Sequence, residues 1–216
     1  MLVKNWMSKA LVVVDPNASV IKAQILLKDH DISHLPVMDE EKLLGIITAR
    51  DIRQLLIPSE TLKVKNIMTH DPVTVPWNYT IGEAAEILLI HNISGLPVVD
   101  QQGRVAGIIT KGDLFRVLVP LTGVGKKGIQ FALILEDRRG AIKEITDIIR
   151  ANGGRMMSVL TSYDKAPKGS LKLYLRMYGL ERKKLKTLKD KIREKASLLY
   201  MVDHRENTRE VFVNDS

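Results

Sequence analysis

VKNWMSKALVVV, running from Val3 to Val14, and VKNIMTHDPVTV, from Val64 to Val75, are two copies of one segment. The likeness continues along the chain. DISHLPVMD from Asp31 matches NISGLPVVD from Asn92, and LLGIITARD from Leu43 matches VAGIITKGD from Val105. The offset is 61 residues, becoming 62 after one insertion between Asp100 and Gly107, and about twenty positions are identical. Self-similarity at a fixed spacing is the mark of one supersecondary unit used twice.

Each copy carries the same order of elements. A short β-branched run (Val12–Val14; Val73–Val75) leads into an amphipathic helix, expected over about 19–30 and about 80–91. Two apolar strands follow, Leu35–Met38 with Leu43–Thr48 and Leu96–Val99 with Val105–Thr110. Second helices open at Thr48-Ala-Arg-Asp51 and Thr110-Lys-Gly-Asp113, and Thr80 with Glu83 predicts a capping box on the long helix of the second copy. One β-α-β-β-α copy is too small to bury both faces of its sheet. The two are therefore expected to pack together about a pseudo-twofold axis.

This order, the LPVxD strand and the G-h-h-T-x-x-D signature resemble a pair of CBS motifs, the Bateman module, over residues 1–120. On the residues alone, Thr48 with Asp51 and Thr110 with Asp113 read first as helix caps. A capped helix start also presents free N–H groups and a positive dipole end, which suit a phosphate. The resemblance adds that Asp51 and Asp113 hold ribose hydroxyls, with Thr48 and Thr110 near the ribose–phosphate junction. It implies AMP, ADP, ATP, S-adenosylmethionine or NAD as regulatory ligand. Arg50, Lys111, His70 and Lys9 are the cations available to neutralise phosphates. Gly95 replaces His34 and Asp71-Pro72 replaces Ala10-Leu11 between the copies, so two sites of unequal affinity are expected.

The second half is different in charge. Residues 1–120 hold 12 Lys and Arg against 13 Asp and Glu, whereas residues 121–216 hold 21 against 12. The alternation of IQFALIL and SLKLYLRMY and the amphipathic spacing between them predict a βαββαβ unit over 129–205. This order is ferredoxin-like, and with Asp137-Arg-Arg-Gly140 after the first strand it resembles an ACT domain, although Arg139 stands where many members have proline. The resemblance implies an amino-acid site with Gly140 close to the ligand and Asp137 and Asn152 nearby. The plainer alternative is that this turn only starts a helix and the domain only dimerises. The stretch 181–195 has eight basic residues and no interleaved aromatics, the pattern of a solvated helix face rather than a nucleic-acid surface.

The expected organisation is thus CBS motif 1 at 1–60, CBS motif 2 at 61–120, a linker at 121–128, an ACT-like domain at 129–205 and a tail at 206–216. The fold class is α/β in the α+β sense. Such a chain resembles the acetoin-utilisation protein B family. Cysteine is absent, which excludes disulfides, thiolate metal sites and cysteine nucleophiles. The five histidines have no metal-ligand spacing, and PLTGVGKKG at 120–128 fails as a P-loop because no Ser or Thr follows the lysine. No stretch approaches the roughly 20 apolar residues that span a bilayer, and MLVKNWMSKA lacks the long apolar stretch of a signal peptide. The expectation is a cytoplasmic, homodimeric regulator of some partner enzyme, itself without catalysis or metal. It senses an adenosyl ligand or, alternatively, an amino acid with the CBS pair as scaffold.

Overall fold

The computed structural model describes residues 1–55, 60–125 and 127–212. Residue 126 of the expected linker and residues 213–216 of the expected tail lie outside them. The chain divides into two compact units, Met1–Val117 and Leu118–Ser216.

In the first unit the repeat is visible as two small cores. The first copy contributes α1 (Val20–Asp29), β1 (His34–Asp39), β2 (Lys42–Thr48) and α2 (Ala49–Arg53). The second contributes β3 (Thr69–His70), β4 (Val75–Pro76), α3 (Ile81–Ile90), β5 (Gly95–Val99), β6 (Val105–Thr110) and α4 (Lys111–Leu121). The β-branched runs are shorter than expected. Val14 makes a single parallel bridge to Val37, and β4 pairs with β5 over two residues. Helix ends follow the sequence closely: Ser19 and Thr80 cap the starts of α1 and α3, and the repeat-equivalent His30 and His91 close them.

The leading segment of each copy packs on the other copy. Val3 and Met7 join the core of Val75, Ala84, Leu88, Leu96, Val98 and Ile109. The Val3 N–H donates to the Tyr79 carbonyl at 2.8 Å, and Ser8 bridges Ile108. Reciprocally, Val64 and Met68 complete the core of Val14, Val20, Ala23, Leu27, Leu35, Val37 and Ile47. The Lys65 N–H donates to the Pro16 carbonyl at 2.9 Å, and β3 adds to the edge of β2. The boundary near residue 60 is therefore a boundary of sequence and not of packing. Each packed half is assembled from both copies.

The second unit contains β7 (Ile129–Glu136), α5 (Ala141–Ala151), β8 (Arg155–Ser162), β9 (Ser170–Tyr178), α6 (Leu185–Arg193), β10 (Ser197–Asp203) and β11 (Thr208–Val211). Its antiparallel sheet has the order β11-β10-β7-β9-β8. Alternation along β9 sends Leu171, Leu173, Leu175 and Met177 into one core with Ile145, Ile149, Leu188 and Ile192 of the two helices. Two expectations are corrected here. The supposed tail from 206 holds a fifth strand, β11, joined to β10 by a turn with Asn207 at φ 54°. The expected linker at 121–128 is in part taken up by structure: α4 includes Leu121, and the Ser158 hydroxyl donates to the Thr122 carbonyl at 3.1 Å.

Candidate functional site

The two Thr-x-x-Asp elements form matching capping boxes. Asp51 Oδ2 accepts the Thr48 N–H at 2.8 Å and the Thr48 hydroxyl at 2.7 Å, while the Asp51 N–H donates to Thr48 Oγ1 at 3.3 Å. Asp113 and Thr110 repeat this with 2.8, 2.8 and 3.3 Å. Each cap satisfies backbone groups that a helix start leaves open, and it fixes a carboxylate in place.

A cleft lies beside each box. The Asp51 cleft, about 580 Å³, is lined by Thr48, Arg50, Asp51 and Arg53 from the first copy and by Asp71, Asn92, Gly95 and Pro97 from the second. The Asp113 cleft, about 450 Å³, is lined by Thr110, Lys111, Asp113 and Arg116 together with Ser8, Leu11, Val12 and Asp31 from the first copy. Both volumes fall in the range of small-molecule sites. Both clefts also share Ser33, His34, Ser94 and Lys111.

The clefts differ in charge and in the state of their aspartates. The Asp51 cleft has Arg50, Arg53 and Lys111 against Asp51 and Asp71, and among the described residues Asp51 Oδ1 accepts no hydrogen bond. In the Asp113 cleft, Gly112 stands where Arg50 does and Asp31 where Asn92 does. There Asp113 Oδ1 is taken by Arg116 Nη1 at 3.2 Å. Asp51 thus keeps one carboxylate oxygen uncommitted among the described residues, whereas both oxygens of Asp113 are engaged. Since α2 has only five residues, its dipole is small, and any anion in that cleft falls to the cationic side chains.

Of the expected site residues, Thr48, Arg50, Asp51 and Lys111 come together at one cleft and Thr110, Lys111 and Asp113 at the other. His70 does not join them. It lies on β3, against β2, and lines a separate cavity of about 430 Å³ with Lys42 and Lys65. Lys9 lines none of these three cavities. The sequence reading did not include Arg53, Arg116, Asp31 and Asn92 or the shared Ser33 and Ser94, and it noted His34 only for its contrast with Gly95. The signal was present, since Ser33 and Ser94 are identical across the copies in the ISxLPV segment.

His34 and Gly95, which occupy equivalent positions in the two copies, lie against each other, and the glycine makes room for the histidine: a Cβ on Gly95 would stand 2.9 Å from His34 Nε2. The imidazole is 7% exposed and Nε2 lies 2.8 Å from the Ser94 hydroxyl. Burial pushes its pKa below the ordinary value, partly opposed by the Asp51 carboxylate.

Of the residues expected to form an amino-acid site in the second unit, Asp137 and Gly140 lie together and Asn152 does not join them. Gly140, at φ 87°, starts α5, and Asn152 closes its far end, with Nδ2 donating to the Ile148 carbonyl at 2.7 Å. At 1.5 Å per residue the ends of this helix are about 16 Å apart. Asp137 stays beside Gly140, where the Tyr163 hydroxyl donates to it at 3.5 Å. Among the described residues, no group of three His, Cys, Asp or Glu is placed to hold a metal, and no helix is long and apolar enough to cross a membrane.

Twin clefts between interlocked β-α-β-β-α repeats, each with a capped aspartate beside it, define a tandem-repeat module. The chain belongs to the CBS domain family, whose model matches residues 3–58 and 64–120. A CBS domain-containing protein of Dictyostelium discoideum is 36% identical over 133 residues, 55% of this chain and 91% of that protein. Inosine-5′-monophosphate dehydrogenase of Korarchaeum cryptofilum is 38% identical over 112 residues, 52% of this chain but only 23% of the enzyme. The chain thus spans about a quarter of that relative's length. Among solved structures, the CBS domain pair of protein MJ0100, in complex with 5′-methylthioadenosine and S-adenosyl-L-methionine, is 37% identical with a TM-score of 0.51. That match covers 55% of this chain and 95% of the pair.

Proposed function

We propose that this chain is a regulatory, ligand-sensing protein whose CBS pair binds an adenosyl ligand, and that the Asp51 cleft takes a phosphorylated adenosine. The observation that carries this reading is the Asp51 carboxylate. It is pinned by its cap through one oxygen, with the other uncommitted among the described residues, beside Arg50, Arg53 and Lys111. A carboxylate suits the paired hydroxyls of a ribose, and the guanidinium groups suit phosphate. AMP, ADP, ATP and NAD fit this balance better than S-adenosylmethionine, whose sulfonium adds positive charge. The Asp113 cleft, with Asp31 in place of Asn92, suits an uncharged or cationic adenosyl compound. The structural relative's ligands support the adenosyl class.

We read the second unit, a β-α-β-β-α-β order with β11 added, as an ACT-like, ferredoxin-like domain. We assign it the response to ligand binding, directly or by regulating a partner enzyme. The order along the chain supports this role, because the second unit follows directly on the segment that carries Asp113. A homodimer is part of the proposal. Exposed Leu89 and Ile90 on α3 and Phe115 on α4 are large apolar side chains of the kind that subunit contacts cover. The acetoin-utilisation protein B family has the same order of domains, so acetoin metabolism is where a partner is to be sought.

The test is a thermal-shift series with AMP, ADP, ATP, NAD, S-adenosylmethionine and the twenty amino acids on wild type, Asp51→Ala and Asp113→Ala. Stabilisation by an adenine nucleotide, lost in Asp51→Ala, is expected. Stabilisation by an amino acid alone overturns the adenosyl reading.

A further inference from the structure

The two clefts share a wall that is itself a hydrogen-bonded pair. We propose that His34 and Ser94 form a proton-ordering relay that couples the Asp51 and Asp113 clefts, so that the occupant of one sets the hydrogen-bonding character offered to the other. The inference rests on the adenosyl reading for the identity of the occupants. Its geometry is independent of that reading.

His34 comes from the first copy and Ser94 from the second, and both residues line both clefts. Their contact, Nε2 to Oγ at 2.8 Å, admits two arrangements of the same atoms. In one, Nε2–H donates to the serine oxygen, the serine proton is free to donate elsewhere, and Nδ1 is an acceptor. In the other, the serine hydroxyl donates to Nε2 and Nδ1–H becomes the free donor. The two differ only in proton position. Each presents the opposite polarity at both ends of the pair.

A ligand group that accepts from Ser94 selects the first arrangement, and one that accepts from Nδ1 selects the second. Because neither residue belongs to one cleft alone, selection in one cleft is felt in the other. That is a two-state element biased by both sites, the physical requirement for coupling. Two features hold the relay in place. Burial of the ring favours the neutral imidazole that the two arrangements require. Gly95 provides the space the ring occupies, since a Cβ there would come within 2.9 Å of Nε2. The internal symmetry of the repeat is broken at this position alone of the ISxLPV segment, where His34 faces Gly95.

The experiment uses the full chain with AMP and 5′-methylthioadenosine as probes. Calorimetry measures AMP affinity with and without saturating 5′-methylthioadenosine, on wild type, Ser94→Ala and Gly95→Ala. In parallel, long-range ¹H–¹⁵N spectra of ¹⁵N-histidine-labelled wild type read the His34 tautomer, assigned by its loss in His34→Gln. The relay predicts that the second probe changes AMP affinity about fivefold or more, in the range of ordinary coupling energies. This change falls below about twofold in both variants, and the His34 tautomer population shifts on AMP addition. Coupling that persists in Ser94→Ala, two probes that bind without affecting each other, or a tautomer unmoved by saturating AMP overturns the relay while leaving the adenosyl reading intact. Absence of binding by both probes overturns that reading, and the relay with it.

Discussion

Gly107 lies against the backbone of Ser8 so closely that a Cβ would stand 2.4 Å from the Ser8 carbonyl oxygen. Its repeat-equivalent, Gly45, stands in the same relation to the Thr69 carbonyl, at 2.7 Å. Both are the glycine of the GIIT strand, and both face the leading segment contributed by the other copy. The methionine side chains beside them, Met7 and Met68, can shift, but these carbonyl oxygens are backbone and cannot rotate away. Gly107→Ala is therefore expected to cost about 1–3 kcal/mol, the usual range for overpacking, read as a lower denaturant midpoint. Gly82→Ala is the control: it sits in α3 with only Thr80 Oγ1 at 3.8 Å, and is expected to stabilise by about 0.5–1 kcal/mol through helix propensity.

The exchange of leading segments makes a second prediction. Val3 is fully buried in the core of the second copy, more than sixty residues along the chain. Val3→Ala is expected to cost about 2 kcal/mol. Hydrogen exchange should place the first loss of protection in α3, β5 and β6. Loss confined to the elements of the first copy, from α1 to α2, contradicts the exchange.

A pH dependence follows from His34. Its folded-state pKa lies below the ordinary 6.5 because the ring is buried. Between those two values the unfolded chain binds more protons than the folded one, so stability rises with pH through this window. It is complete above about pH 6.5 and is lost as pH falls towards the folded value, with a slope of at most about 1.4 kcal/mol per pH unit for one group. His204, also lowered by burial, acts with the same sign. The lowered carboxylates Glu83 and Asp203 act in a more acid window. His34→Gln should flatten part of the slope just below pH 6.5 in a melting series; an unchanged slope contradicts the assignment.

Arg116 separates the two aspartates functionally. Its side chain is 80% exposed, so the pair with Asp113 is weak, about 0.2–1 kcal/mol. Arg116→Ala frees Asp113 Oδ1 and is expected to tighten 5′-methylthioadenosine at that cleft by about two- to fivefold in calorimetry. Weaker binding in this variant means that Arg116 is itself a ligand contact.

Particular residues show why some of this was legible in the sequence and some was not. The capping boxes were readable because Thr48, Asp51, Thr110 and Asp113 act within one helical turn, where spacing is geometry. The long helices were readable for the same reason, from their apolar period and the cap at Thr80. The segment exchange was not, because Val3 and Val64 are identical: a hydrophobic pattern is satisfied equally by either copy's core. His70 was misplaced because its proximity to a cleft depends on which edge β3 joins, a tertiary fact. Asn152 was misassigned through closeness in the family's pattern, although an 11-residue helix separates it from Gly140. β11 carried a modest signal, a turn at Glu206-Asn207 before alternating TREV, hidden by its position near the end of the chain. The His34–Ser94 pair joins two copies through residues 60 apart, and neither residue is unusual by itself.

The most direct test of the account is calorimetric titration of AMP into wild type, Asp51→Asn and Asp113→Asn. Asparagine keeps the size of the side chain and removes the charge that a ribose hydroxyl pair would use. A hydrogen bond to a charged group is worth about 1.5–3 kcal/mol, so Asp51→Asn is expected to weaken AMP binding at least about tenfold. Asp113→Asn should leave the first, tighter binding event within about twofold of wild type. AMP binding that Asp51→Asn leaves unchanged contradicts the account.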